Sequence, residues 1–321
     1  MVSIVTGGCG FIGSHLARRL VSNNEDVKII DDLSKGDISR IKDVINSIEF
    51  FKVDIRNYTE IKSIFKDVDT VFHLAAQVSV FNSIEDPSYD ASVNVLGTLN
   101  VLKAAYENNV KRFVYVSSAA IYGNPVKLPI DEDHPKNPLS PYGLSKYTGE
   151  RYSMLFNALY ELPVTAIRPF NVYGPGQNPD DEYAGVITKF VSRILKNQSP
   201  IVYGGSQTRD FVYVSDVVDG ILLAAKVKDA VGNSFNIASG TEVTIEELAK
   251  IMIKISGKKL AIEYAPPRKG DIKQSVANIT KAKQILGYSP KVSLEDGLRE
   301  VFKYLETRLV EWTKNLYLQL L

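Results

Sequence analysis

Short apolar runs separated by amphipathic stretches recur through the first half of the chain. The runs Val2–Thr6, Val27–Asp31, Ile48–Val53, Thr70–Leu74, Phe113–Ser117 and Val164–Arg168 are rich in Val, Ile and Phe and show no polar alternation. Such runs suit strands covered on both faces, because a strand with one wet face would alternate. Between them, apolar residues at helical spacing predict helices over Ile12–Ser22, Ile61–Phe65, Ala91–Asn108 and Tyr142–Tyr160. Strand and helix alternate regularly, which predicts an α/β fold of the Rossmann type, a doubly wound parallel sheet.

After Pro169 the texture changes. The stretch FNVYGPGQNPDDEYAG is dense in Gly, Pro, Asn and Asp and reads as loop. Beyond it, helices are predicted near Val186–Lys196, Asp216–Ala225 and Ile245–Ser256, with short strands near Pro200–Tyr203 and Leu260–Tyr264. Residues 170–321 are therefore expected to form mainly a smaller α/β lobe for substrate. Some of its segments, such as Asp216–Ala225, are expected to return to the sheet domain of residues 1–169.

Composition narrows the function. The 321 residues are 45% hydrophobic and 23% charged, with a formal net charge of +1. That balance gives no electrostatic reason to expect nucleic acid or an anionic membrane as partner. A bound anion must instead be held by local cations and backbone N–H groups. One cysteine, Cys9, excludes an intramolecular disulfide framework. The N-terminus does not read as a signal peptide, and no window approaches the roughly 18 apolar residues of a membrane span. The apolar end of Trp312–Leu321 is far too short to span. A cytoplasmic location is expected.

The segment TGGCGFIGSH sets Gly7, Gly10 and Gly13 directly after the first strand and at the start of the first helix. Small residues there let the backbone approach a pyrophosphate, and the helix N-terminus offers free N–H groups and a favourable dipole. Asp31 ends the second strand, where a carboxylate can accept from both ribose hydroxyls and would repel a 2′-phosphate. NAD is thereby favoured over NADP, and Asp32 adds a second negative charge. Asp54, after the third strand, is a candidate adenine contact, although strand-end acids often only form turns.

Tyr142 and Lys146 in YGLSK lie one helical turn apart on one face. A lysine ammonium, and further a nicotinamide cation, would favour the phenolate of a tyrosine that ordinarily titrates near pH ~10. That is an acid/base suited to a hydroxyl undergoing hydride loss. Ser118, following the fifth strand, can hold the same substrate oxygen.

TGGCGFIGSH, HLAAQ, YVSSAAIYG, SPYGLSKYTGE and RPFNVYGPG together resemble the extended short-chain dehydrogenase/reductases, most closely the NAD-dependent nucleotide-sugar 4-epimerases. QTRDFVYVSDVVDG and APPRKGDI extend the likeness over nearly the whole chain. The resemblance implies Ser118, Tyr142 and Lys146 as the catalytic triad, with Lys146 also on the nicotinamide ribose. It implies a firmly held NAD, with Phe11, Ile12, Ile55, Leu74, Ala75 and Ala76 completing the cofactor-binding set. It also implies a homodimer built through Ala91–Asn108 and Tyr142–Tyr160.

In similar enzymes Asn171, Arg209 and Arg268 fall in motifs that grip a nucleoside diphosphate, and arginine forks match phosphate oxygens well. Asp271 matches a position near the nucleotide ribose. The choice of UDP rests on the resemblance alone. Dehydratases and decarboxylases of the family typically carry an acid two positions beyond the serine, where this chain has Ala120 after Ala119. What remains is the minimal machinery of 4-epimerisation. Val78 stands where many simple galactose epimerases carry lysine. Ser275 aligns with a gate at which small residues admit an N-acetyl group, so UDP-N-acetylhexosamines are expected beside UDP-glucose and UDP-galactose.

The rival readings are a UDP-glucuronate 4-epimerase, an NAD(P)H-dependent keto-sugar reductase on the same scaffold, and a non-catalytic NAD-sensing protein. The last would ordinarily have lost the Tyr or Lys. The three histidines, His15, His73 and His134, show no ligand spacing, so no metal site is expected. Cys9 reads as a packing residue rather than a nucleophile. Phe170 and Tyr173 line either the pocket or the core.

Overall fold

A computed structural model of the chain describes residues 1–177, 185–267 and 272–319, with side chains described to residue 308. Six strands follow one another through the first half: β1 (Val2–Thr6), β2 (Asp26–Ile30), β3 (Ile48–Phe51), β4 (Thr70–His73), β5 (Arg112–Val116) and β6 (Val164–Pro169). With the later strand Ser234–Ile237 they form one seven-stranded parallel sheet. Its order is Ser234–Ile237, β6, β5, β4, β1, β2, β3.

The missing polar alternation has its cause in this architecture. Successive residues point to opposite faces, and both faces are covered. On one side Val5, Ile29, Val114 and Ile167 pack with Leu16 and Leu20 of the helix Phe11–Ser22 and with Val217 and Ile221 of the helix Val214–Lys226. On the other, Ile4, Ile30, Val71 and Phe113 pack with Ile61, Val101, Leu102 and Ala105. The chain after Pro169 thus returns a helix and a strand to the sheet. A third apolar cluster, with Phe190, Val191, Leu248, Met252, Leu298 and Val301, forms the remainder of the C-terminal half. Its final helix, Leu294–Gln319, takes in the apolar stretch that begins at Trp312. Among the described residues no helix is long and apolar enough to cross a membrane.

One predicted helix differs in kind. Instead of an unbroken helix over Ala91–Asn108, the chain forms a short helix Pro87–Ala91, a π-helical turn Ser92–Gly97 and a helix Thr98–Glu107. Polar side chains inside the turn explain the change. Thr98 Oγ1 donates to the carbonyl of Asn94 at 2.7 Å, and the Asn94 side chain is drawn inward to Gln77, Asp90 and Ser145. Periodicity records which residues face the core, and it does not register an extra residue in a turn.

A buried ion pair fixes the long helix Pro141–Tyr160 to the sheet. Arg168 of β6 donates to both carboxylate oxygens of Glu150, at 2.6 and 3.1 Å, and to Tyr122 Oη and the Glu132 carbonyl. Ser234 donates to Glu150 from the neighbouring strand at 3.2 Å. Burial alone would raise the Glu150 carboxyl, but the bonds and charge of Arg168 outweigh it and hold the group below its ordinary range. The pair's contribution is therefore complete above the unfolded glutamate value and lost as pH falls through the lower folded one. Arg168→Met leaves this carboxylate buried without its cation. The expected cost is about 3–5 kcal/mol, measured by chemical denaturation at neutral pH; an unchanged midpoint would mean that water reaches Glu150.

Candidate active site

The sheet order reverses between β1 and β4, from which strands run outward in both directions. Open parallel sheets form their ligand crevice beyond the strand ends at such a point. The glycine turn lies there. Gly7 has φ +71°, and a Cβ on Gly13 would stand 2.1 Å from the Gly7 carbonyl oxygen. The helix Phe11–Ser22 begins on Gly10, which offers no side chain to its free N–H groups. An anion can take that place.

Asp31 is 7% exposed and accepts from the backbone N–H groups of Cys9 and Leu33, both at 2.9 Å. Burial raises this carboxyl, opposed by those two bonds. Further acceptor capacity remains on both oxygens for a ribose. Asp32 accepts from the Ser34 N–H and hydroxyl. Cys9 is buried, and burial with the nearby Asp31 charge pushes its thiol up to about 12, so the sulfur packs as a neutral group. The close-packed turn, the uncapped helix and the acid at the end of β2 fit a dinucleotide. Phe11 and Ile12 open the helix, and Leu74 and Ala75 donate their N–H groups to Thr6 Oγ1 at 3.2 Å each, with Ala76 following. Ile55 is buried, whereas Asp54 is engaged by Arg56 at 2.5 Å.

Ser118 follows β5 and accepts from the Ala120 N–H at 3.1 Å, in a single turn Ala119–Ile121. The helix Pro141–Tyr160 starts against that turn, capped by Ser140 Oγ on the Gly143 N–H. Contact is so close that a Cβ at Gly143 would lie 2.8 Å from the Ala120 carbonyl oxygen. This approach brings the half-buried Tyr142 near Ser118, whose hydroxyl acts to lower the phenol. Lys146, one turn on, is 3% exposed, and its Nζ lies 4.5 Å from the centre of the Tyr115 ring.

The electrostatics depart from the expectation that Lys146 depresses the phenol. Burial raises Tyr142, only partly offset by Ser118, and the Asp90 charge raises it further. Lys146 is itself lowered by burial to about 7, against the pull of Asp90 and Glu150. In the protein alone, burial thus raises the phenol and lowers the lysine.

His73, at the end of β4, has a defined role that its sequence position did not suggest. Thr98 Oγ1 spends its proton on Asn94, so it accepts from His73 Nε2–H at 2.9 Å. His73 Nδ1 then accepts from Thr6 Oγ1 at 2.7 Å. Burial and the neighbouring Lys146 lower the ring to about 3, and it stays neutral. No group of three or more potential metal ligands comes together among the described residues.

Of the expected diphosphate contacts, Asn171 is exposed on the strand Asn171–Tyr173, beside Phe211–Tyr213. Arg209 donates to the carbonyls of Thr208 and Ile272, both at 2.7 Å. Ser275 is half-buried, and its N–H donates to Thr208 Oγ1 at 3.4 Å. Fully buried Asp210 ties this region together by accepting from Ser239, Gly240 and Ala277. Arg268 and Asp271 lie outside the described residues. Val78 is exposed, while Phe170 and Tyr173 are buried in the core.

The sheet and its helices have the Rossmann-type fold of the extended short-chain dehydrogenase/reductases. Residues 4–301 match the family profile described as GDP-mannose 4,6 dehydratase, and the chain belongs to this NAD-dependent epimerase/dehydratase family. It is 39% identical to a UDP-glucose 4-epimerase of Mycolicibacterium smegmatis over 314 residues, 96% of this chain and 99% of that protein. A UDP-glucose 4-epimerase of Thermotoga maritima, solved with UDP-glucose, has 39% identity and a TM-score of 0.92 over 96% of this chain and 100% of its own. A UDP-N-acetylglucosamine 4-epimerase of Methanobrevibacter ruminantium, solved with UDP-N-acetylmuramic acid, has 36% identity and a TM-score of 0.91 over 95% and 98%.

Gly13→Ala puts a methyl group into the Gly7 carbonyl. The purified variant is expected to keep its far-ultraviolet circular dichroism but to lose nearly all bound NAD, read by chromatography of the denatured protein. Full retention of NAD would place the dinucleotide elsewhere.

Proposed function

We propose that the protein is an NAD-dependent UDP-sugar 4-epimerase in which Ser118, Tyr142 and Lys146 act on the sugar's 4-hydroxyl. The observation that carries this reading is the packing of the Ser118 turn, at the end of β5, against the first turn of the helix that bears Tyr142, with buried Lys146 one turn away. Relatives named as 4-epimerases support it across nearly the full chain. So does the pair Ala119 and Ala120 after Ser118, where the dehydratase and decarboxylase chemistries of the family call for an acid.

When bound, NAD supplies the acceptor for the C4 hydride, the donor for its return, and a positive nicotinamide charge that favours the phenolate. Gly7, Gly10, Gly13 and Asp31 would hold it. Ser118 orients the 4-hydroxyl, and Tyr142 takes its proton as the carbon is oxidised. The 4-keto sugar turns over in the site, so that the other face of C4 would receive the returning hydride, and Tyr142 gives the proton back to the oxygen. Lys146 adds positive charge beside the phenol. Because burial raises Tyr142 in the protein alone, proton removal awaits the bound cofactor. Asn171, Arg209 and Arg268 would hold the diphosphate and Asp271 the ribose.

The half-buried Ser275 supports acceptance of N-acetylated sugars, and we propose UDP-glucose and UDP-N-acetylglucosamine as substrates. The exposed apolar side chains Leu96, Tyr106, Leu155, Leu159 and Tyr160, on two neighbouring helices, support a homodimer through that face.

Purified protein is expected to convert each sugar to its 4-epimer without net NADH. Product that forms only with stoichiometric NADH would point to a reductase, and UDP-glucuronate tested in parallel separates that rival. Tyr142→Phe should lower kcat about 10²–10⁴-fold with NAD retained. Ser275→Tyr should remove activity on the N-acetylated sugar and spare UDP-glucose; equal loss on both would remove the gate.

A further inference from the structure

Asp90 is the carboxylate that neither the sequence reading nor the catalytic scheme uses. It is 1% exposed, inside the short helix Pro87–Ala91 that packs against the helix Pro141–Tyr160. Its Oδ1 accepts from Gln77 Nε2 at 2.9 Å and from Asn94 Nδ2 at 3.1 Å. Its Oδ2 is buried with no hydrogen-bond partner. Asn94 Nδ2 also reaches Ser145 Oγ at 3.0 Å, and Ser145 donates to the carbonyl of Tyr142 at 3.0 Å. Amides thus clamp this carboxylate beside the turn that carries Tyr142 and Lys146.

A buried anion with a bare oxygen requires a compensating charge. Burial raises the Asp90 carboxyl, and Ser145, Gln77 and, as the cation, Lys146 act against it. Lys146 in turn faces Asp90 from the short helix, Glu150 from its own helix, the neutral His73 from β4 and the Tyr115 ring from β5. Glu150 is already neutralised by Arg168 at 2.6 Å. Among the described residues, Asp90 is left as the carboxylate whose charge Lys146 balances.

We infer that Asp90 is the counterion of Lys146, a positioning residue that keeps the buried ε-amine an ammonium beside Tyr142. What this does for turnover rests on the epimerase reading above, whereas the charge pairing rests on the burial of Asp90, its bare oxygen and its link through Asn94 to Ser145, the residue before Lys146. Asp90→Asn is a close test, because the bonds from Gln77 and Asn94 both fall on Oδ1 and an amide oxygen can accept them, so the variant changes charge more than shape. Removing an anion beside a cation eases loss of the proton, so Lys146 should titrate at lower pH.

The test is a pH titration by NMR of holoenzyme carrying ¹³C-lysine, with the Lys146 signal assigned by its loss in Lys146→Arg. The wild-type midpoint, lowered by burial of the ammonium, is the reference. In Asp90→Asn it should fall by about one unit or more, and the alkaline limb of kcat should move the same way with KM little changed. Ser145→Ala, which loosens the cluster without removing charge, should leave the midpoint in place. An unmoved midpoint in Asp90→Asn, or an equal shift in Ser145→Ala, would overturn the pairing. If Asp90→Asn does not fold, ¹³C-aspartate labelling of the wild type decides: an ionised Asp90 at neutral pH supports the pairing and a protonated one refutes it. Absence of turnover in the wild type would sink the epimerase reading and leave the NMR result standing.

Discussion

Everything at the site depends on how closely the first turn of the helix Pro141–Tyr160 is pressed onto the end of β5. Gly143 sits against the Ala120 carbonyl at a distance that leaves no room for a side chain. That approach brings Tyr142 to Ser118, and it carries Lys146 under the helix, over the Tyr115 ring, out of water. The contact is held at both ends. Ser140 caps the helix start, and the Glu150–Arg168 pair bolts it to β6 ten residues on. A helix free to tilt away would hydrate the lysine and lose the serine contact together.

Burial then sets the protonation chemistry. It pushes Lys146 down to about 7 and His73 to about 3, and it raises Tyr142. The protein's own groups therefore oppose the phenolate that an acid/base role needs. In the proposed mechanism such an arrangement would couple proton transfer to cofactor occupancy, because the charge that favours the phenolate would arrive with NAD. A tyrosine ionised in the empty protein would need no such partner and would carry no such control.

The sheet was legible from the sequence because both faces of its strands are buried, and apolar runs announce that directly. The glycine turn, Asp31, Ser118, Tyr142 and Lys146 were legible as motifs whose backbone context could be predicted. Asp90, Asn94 and Thr98 were not. Their side chains point inward from a stretch that reads as an ordinary amphipathic helix, and the π-helical turn that aims them leaves no trace in the hydrophobic period. His73 was visible only as a poor metal ligand. Its role depends on two hydroxyl protons, on Thr6 and Thr98, far apart in sequence and joined only by folding. Arg168 and Glu150 sit in motifs, yet their pairing is a property of packing.

The two buried acids that act on Lys146, from different helices, show why one arrangement is structural and the other is not. Glu150 has both oxygens engaged by the Arg168 fork, the geometry in which an ion pair best recovers its desolvation cost. Asp90 has one oxygen engaged and the other bare, and its cation rests on an aromatic ring rather than in contact with it. As a device for stability that is poor: apolar residues of the same volume would serve better. A separated pair does keep the ammonium free to face Tyr142, which a contact pair would not. The bare oxygen marks a carboxylate held for its charge, at a distance that leaves the lysine available.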